Sequence, residues 1–344
     1  LISQHKFTIA VAGTHGKTTT TALIAHILTD SGFGCSAFLG GISTNYGTNV
    51  LFSGNDVMVV EADEFDRSFL TLYPDIAIVT SADADHLDIY GDKGQLHESF
   101  RLFLGQLHAQ GNCIVKAGLP FEADTYYSAA HEADAYADNI HVKQGTFYFD
   151  YVHKDGRVAN ISLGVPGRHN VENAVAAMAV AQSLEIPMEK IVDALGSFAG
   201  VKRRFEYIVK RPDAIYIDDY AHHPEELKAF FSAVRQLYPR KKLTAVFQPH
   251  LYSRTRDFAA DFADALRMVD TLLLMEIYPA REMPIKGVDA RMLLEKVAID
   301  DKRIVSTGDV KTYVRDMRPE LLVTVGAGDV DLLVKPLKAI LEHE

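Results

Sequence analysis

The stretch VAGTHGKTTTT, from Val11 to Thr21, sets two glycines, a lysine and a row of hydroxyls between an apolar run and a helical one. A glycine loop that opens a helix offers backbone N–H groups, the positive end of a helix dipole and an ammonium to a single polyphosphate. That is nucleotide chemistry. The widespread form of such a loop has four residues between its first glycine and the Gly-Lys pair. Here that first position is Val11, and the nearer Gly13 leaves the shorter spacing Gly-x-x-Gly-Lys-Thr. Gly13, Thr14, His15, Gly16, Lys17, Thr18 and Thr19 are the candidate phosphate contacts. Lys17 suits the β- and γ-phosphates, and the Thr18 hydroxyl suits Mg2+. Thr19 to Thr21 are β-branched and divide between core contacts and the phosphate rim.

Further along, VVEADEFD ends a strand with Glu61, whose carboxylate can ligate Mg2+ directly or through water. For Glu64 and Asp66 a solvated acidic loop is an equal alternative. TSADADHLD sets His86 among Asp83, Asp85 and Asp88. Imidazole is a poor partner for Mg2+, so chemistry alone favours Mn2+, zinc or a hydrogen-bonding role there. GRHNVEN starts a helix with His169, Asn170 and Asn173, of which Asn170 alone could be an N-cap. GVKRRFE supplies Arg203 and Arg204, whose guanidinium forks suit phosphates or carboxylates. YIDDYAHHPEEL and FQPHLYSRTRDF each follow a strand. They bring Asp219, Tyr220, His222 and His223, then His250 and Arg254, to strand carboxyl ends, the usual binding edge of an α/β sheet. The adjacent histidines lack the cysteines or spacing of a zinc site.

The elements that must position these groups read as follows. Phe7 to Ala12 is a short buried strand, and a helix runs from about Lys17 to Asp30. Apolar runs at Val57–Val60, Ile76–Val79 and Cys113–Val115 alternate with helical patterns, as a parallel α/β sheet requires. GTFYFDYVHKDGRVANISL alternates around a Lys-Asp-Gly turn and predicts an appended hairpin. Two amphipathic helices after Gly164 close this part. Near Gly196 to Lys202 the pattern restarts, with strands around Ala214–Asp218, Leu243–Phe247, Leu272–Met275 and Leu321–Val325. The division is placed at 1–198 and 199–344.

The 344 residues are 48% hydrophobic, enough for two or three domains with substantial cores. A formal charge of −11 argues against a nucleic-acid surface. Cys35 and Cys113, the only cysteines, form no disulfide pattern, which fits a cytoplasmic setting. No apolar run is long enough for a membrane anchor.

Taken in chain order, the shortened loop, EADEFD, DADHLD, GRHNVEN, KRRF and DDYAHHP resemble the Mur ligases, ATP-dependent amide-bond ligases of peptidoglycan precursor synthesis. The resemblance covers essentially the whole chain. It implies a P-loop-type, mostly parallel sheet domain that binds Mg-ATP. A second, Rossmann-like α/β domain follows, closing over the first and carrying the amino-acid site. It implies that Glu61 holds Mg2+ and that His86 holds a second divalent ion. His169 and Asn173 touch the adenine, Asp219 the nucleotide, and Arg203 or Arg204 meets substrate or nucleotide, with Arg204 preferred. Tyr220, His222, His250 and Arg254 are substrate contacts, and Lys17, His86 and Arg204 the catalytic set.

The implied reaction joins L-alanine to UDP-N-acetylmuramate through an acyl phosphate. The rival within the family reattaches recycled tripeptide to the same acceptor. From other classes come an NTPase switch, a kinase, or a nucleotide-binding fragment with no activity of its own. Because the loop strand begins at about Phe7, the family's N-terminal uridine-binding domain is expected to be absent from this chain. Three positions depart from the pattern: Ser81 where many relatives have Asn, Leu251 where some have Arg, and Arg101 on the helix that carries a carbamoylated lysine in several members. No such modification is expected here.

Overall fold

A computed structural model describes residues 6–83, 90 and 92–342. The chain divides into two compact units, Leu1–Lys202 and Arg203–Glu344. The residues just before the division belong to the first unit through backbone pairing. Thr44 N–H donates to the Gly200 carbonyl and Lys202 N–H to the Ile42 carbonyl, both at 2.9 Å. Nothing in the composition of this segment announces that pairing.

The first unit is built on a ten-stranded sheet. Its strands are β1 (Phe7–Ala12), β2 (Ser36–Phe38), β3 (Val50–Leu51), β4 (Val57–Glu61), β5 (Ile76–Val79), β6 (Asn112–Lys116), β7 (Thr125–Ser128), β8 (Ala135–Lys143), β9 (Thr146–His153) and β10 (Gly156–Leu163). The order across the sheet is β10-β9-β8-β7-β6-β5-β1-β4-β2-β3. The strands from β2 to β8 in that series run parallel, while β3, β9 and β10 are antiparallel additions. β1 reads FTIAVA with Ile9 to Ala12 fully buried, the continuous apolar run of a parallel strand covered on both faces. On one face lies α1 (Lys17–Asp30), buried from Thr18 to Leu28, wedged against the helices Arg168–Ser183 and Met188–Ser197. Burial on all sides explains its lack of a polar stripe. On the other face Phe69, Phe100 and Phe103 form an aromatic cluster with Tyr90 and Leu96.

The second unit holds a six-stranded sheet in the order β11-β12-β16-β13-β14-β15. These are β11 (Glu206–Lys210), β12 (Ile215–Asp219), β13 (Leu243–Phe247), β14 (Thr271–Leu274), β15 (Asp301–Ile304) and β16 (Leu321–Val325). Only β11 is antiparallel to its neighbour. Apolar clusters cover both faces, one around Phe230, Phe231 and Phe262, the other around Tyr216, Val310 and Leu337. This is a doubly covered α/β sheet, as the alternating pattern requires.

Candidate functional site

Strand pairing assembles the candidate site of the first unit. β1 pairs with β4 in the register Val11↔Glu61 and with β5 in the register Ala12↔Val79. Three strand ends, with the residues that follow each, therefore meet at one edge of the sheet. Two glycines let the phosphate loop turn there. Gly13 and Gly16 have φ of +137° and +83°, which other residues rarely adopt. A methyl on Gly13 would strike the Thr80 hydroxyl, and one on Gly16 would lie 2.9 Å from Asn173 Oδ1. That contact places Asn173 against the loop.

Lys17 Nζ donates to the Gly13 carbonyl at 2.8 Å and to Glu64 Oε2 at 2.7 Å, with Asp63 Oδ1 at 3.7 Å. Burial alone would lower the lysine pKa. Glu64, then Asp63 and Glu61, outweigh it and raise the pKa above its ordinary value, so the ammonium is charged. The Glu64 side chain is fully buried, which removes the alternative of a solvated acidic loop for this residue, whereas Asp66 is exposed. Thr18 Oγ1 donates to Glu61 Oε1 at 3.1 Å, and Gly40 N–H donates to Glu61 Oε2 at 3.0 Å. A hydroxyl and a carboxylate side by side are hard oxygen donors, the kind Mg2+ prefers, so the residues present fit that ion.

Two residues just after β5 brace the loop, and sequence reading assigned neither a role. Thr80 Oγ1 donates to the His15 carbonyl at 2.5 Å. Ser81 Oγ accepts the His15 N–H at 2.6 Å and lies 3.0 Å from Thr14 Oγ1. Asp83 N–H donates to Thr14 Oγ1 at 3.1 Å. A serine matches this geometry because its short hydroxyl reaches the loop backbone while accepting and donating at once. Removing it by Ser81→Ala is expected to lower the unfolding free energy of the first unit by about 1–3 kcal/mol, the cost of stranding buried polar partners. The urea midpoint reads this, and an unchanged midpoint would deny the brace.

His86, with Asp85 and Asp88, lies outside the described residues. At the start of the helix Arg168–Ser183, Asn170 Nδ2 donates to the Pro166 carbonyl at 2.6 Å, and Asn173 Nδ2 donates to Asn170 Oδ1 at 3.2 Å. Asn170 is thus fastened to the preceding loop, and Asn173 sits one turn on, its amide oxygen facing Gly16. His169 beside them is half-buried. Arg101 is exposed and paired with Glu98 at 3.2 Å.

In the second unit the candidate residues gather at the ends of β12 and β13. Asp219 Oδ2 accepts the Phe205 N–H and Oδ1 the Ala221 N–H, both at 2.7 Å. Burial pushes its pKa up to about 7 against the opposing pull of Arg204. Arg203 and Arg204 stand 5.2 and 5.1 Å from the Tyr220 ring centre, a double cation–π contact. Their other engagements differ. The Arg203 fork is taken up by Asp218 at 3.0 Å and the Gly326 carbonyl at 2.7 Å, whereas Arg204 has a carboxylate, Glu226, only at 3.9 Å. Of the two, Arg204 has the looser engagement, with the Tyr220 ring and the distant Glu226. His222 and His250 have ring centres 5.8 Å apart, and Arg254 Nη1 lies 3.4 Å from His250 Nδ1. Tyr278, a residue the sequence did not single out, stacks on His250 at 5.7 Å. Leu251 caps the short helix Tyr252–Asp257 with φ of +71°.

Burial lowers the pKa of both His222 and His250 to about 4, and Arg254 reinforces this for each. Both are therefore neutral near pH 7. Since an unfolded histidine titrates near 6.5, the unfolded chain binds protons between about pH 6.5 and 4 that the folded chain does not. Their contribution to stability is complete above that window and is lost as pH falls through it. The melting temperature should decline over this range, and the paired change His222→Gln with His250→Gln should flatten the decline.

The comparisons with known proteins agree with this division. Residues 11–181 match the Mur ligase middle domain and residues 203–333 the Mur ligase, glutamate ligase domain. The chain is 46% identical over 344 residues to UDP-N-acetylmuramate--L-alanine ligase of Flavobacterium psychrophilum, covering 100% of this chain and 77% of that one. It is 45% identical to the protein of that name in Porphyromonas gingivalis, covering 97% of this chain and 75% of the relative. Among solved structures, UDP-N-acetylmuramate-alanine ligase MurC of Thermotoga maritima superposes with a TM-score of 0.83 at 25% identity, over 97% of this chain and 75% of that one. A murein peptide ligase of Psychrobacter arcticus, 24% identical with a TM-score of 0.68 over 99% of this chain and 78% of that one, shares the fold. Both units find their counterparts in one family, and identity near one residue in two runs the full length: the chain belongs to the Mur ligases.

Proposed function

We propose that the chain is an ATP-dependent ligase that joins L-alanine to the lactyl carboxylate of UDP-N-acetylmuramate. The observation that carries the nucleotide half is the phosphate loop, where one charged ammonium and the Thr18 hydroxyl at the start of α1 meet the Glu61 carboxylate at the end of β4. The substrate half is supported by the names of the relatives, two of them above 40% identity over nearly all of this chain.

In this reading Lys17 and the loop N–H groups hold the β- and γ-phosphates. Thr18 and Glu61, with His86 at a second site, would hold divalent ions, Mg2+ with Mn2+ as a substitute, which neutralise phosphate charge when bound. Asn173 and His169 are the contacts assigned to the base. The substrate carboxylate oxygen attacks the γ-phosphorus, and the bond to the β-phosphate oxygen breaks, leaving ADP and an acyl phosphate. The amine of the amino acid then attacks the acyl carbon, inorganic phosphate leaves, and the nitrogen sheds a proton to solvent. Arg204 neutralises charge on the transferring group, while Tyr220, His222, His250 and Arg254 line the substrate region. The neutral state of both histidines lets them act as hydrogen-bond partners rather than as charges. No nucleophilic side chain is required, since positioning and charge neutralisation supply the rate. A cytoplasmic setting follows from substrates of this kind, and among the described residues no helix is long and apolar enough to cross a membrane.

The test incubates the protein with ATP, Mg2+ and UDP-N-acetylmuramate, with and without L-alanine, and follows ADP and product mass. L-Alanine-dependent ADP release with a mass gain of one alanyl residue supports the reading. Response to a tripeptide in place of L-alanine identifies the recycling ligase. ADP release that ignores every amine marks a hydrolase, and a stable phosphorylated product a kinase.

A further inference from the structure

An ammonium has three donors, and two of those on Lys17 are used inside the protein, on the Gly13 carbonyl and on Glu64 Oε2. The Glu64 side chain has 0% exposure, against 13% for Lys17. A carboxylate so deeply buried is strongly disfavoured without a cation beside it. The backbone holds it in place. Tyr90, itself buried, donates its hydroxyl to the Glu64 carbonyl. Glu64 also precedes the kinked 3-10 segment Phe65–Thr71, in which Asp66 and Arg67 take left-handed φ of 54° and 56°. The neighbouring acids are placed differently. Asp63 is exposed, and Glu61 is turned toward Thr18 and Gly40.

We propose that Glu64 is a positioning residue for Lys17, fixing the ammonium within the phosphate loop and sharing its charge, so that a nucleoside polyphosphate meets an oriented, partly neutralised lysine. The inference rests on the reading of this loop as a nucleotide site. Two opposite effects follow from one contact. Competition between carboxylate and phosphate for the same ammonium weakens nucleotide binding, while the fixed geometry of Lys17 favours turnover.

The experiment measures ADP affinity by calorimetry, with kcat and melting temperature, for the full chain and its Glu64→Gln and Glu64→Asp variants. Glutamine keeps the acceptor and the volume but loses the charge, so ADP should bind roughly three- to tenfold more tightly while kcat falls by about the same factor. Aspartate keeps the charge but withdraws it by one methylene, and should tighten binding by a smaller factor. A residue with only a structural role would lower the melting temperature without tightening ADP binding, and that result in either folded variant overturns the proposal. Should the glutamine variant not fold, the aspartate variant carries the same test. Failure of both to fold would assign Glu64 to the fold alone and overturn the proposal as well. Absence of ADP binding by the unaltered chain would instead overturn the nucleotide reading on which the proposal stands.

Discussion

Lys17→Ala is expected to lower L-alanine-dependent ADP release by roughly 10²–10³-fold, the usual loss when one preorganised electrostatic contact to a developing charge is removed. The lysine is the cation that the loop itself supplies, and it reaches its position through the Gly13 carbonyl and Glu64. The same change has a second result. Glu64 remains fully buried and loses the Lys17 ammonium, so the first unit should also lose about 3–5 kcal/mol of stability. The two effects separate by experiment. Adding Glu64→Gln to the alanine variant should restore much of the melting temperature and none of the turnover. Near-normal kcat in the single variant would remove Lys17 from the chemistry.

Arg203→Ala is expected to destabilise the second unit by about 3–5 kcal/mol, because it strips the cation from a buried carboxylate. Asp218 has 1% side-chain exposure and takes its hydrogen bonds from Arg203 at 3.0 Å and Thr324 Oγ1 at 2.5 Å, with Tyr216 Oη 3.0 Å from the same threonine hydroxyl. Burial raises the Asp218 pKa while Arg203 holds it down, so without the arginine the carboxyl should move further toward its protonated form. Adding Asp218→Asn should therefore recover part of the loss. Urea midpoints for the single and double variants give the coupling. A midpoint shift below about 1 kcal/mol for Arg203→Ala, the value of an exposed pair, would overturn this structural role for Arg203.

Those two arginines show where the sequence stops being informative. KRRF announces cations at a junction, but which fork turns inward depends on Asp218 and Gly326, and so on the pairing of β12 with β16 more than 100 residues away. The phosphate loop was legible because its signals are local: glycine spacing, a strand before and a helix after. Glu61 was legible for the same reason, as the last residue of an apolar run. Glu64, three residues on, was not, since the groups that hold it, Tyr90 on its carbonyl and Lys17 on its carboxylate, come from distant parts of the chain. Ser81 was opaque in another way. Its role exists only because β5 lies beside β1, a pairing that no pattern within either strand reveals. The hairpin β9–β10 declared itself through alternation, whereas β7 and β8 are short or irregular in pattern and are recruited by the sheet already formed.

The place of β1 in the sheet, with six strands on one side and three on the other, bears on how the protein breathes. Ile9 to Val11 are fully buried and flanked by paired strands on both sides, so exchange of their amide protons with solvent deuterium should require unfolding of the whole first unit. Those of β10, at the sheet margin with most of its residues partly or fully exposed, should exchange through local fraying. The phosphate loop thus hangs from a strand of the sheet interior, where opening should be slow. Transient loss of the outer hairpin should leave the geometry around Lys17 in place.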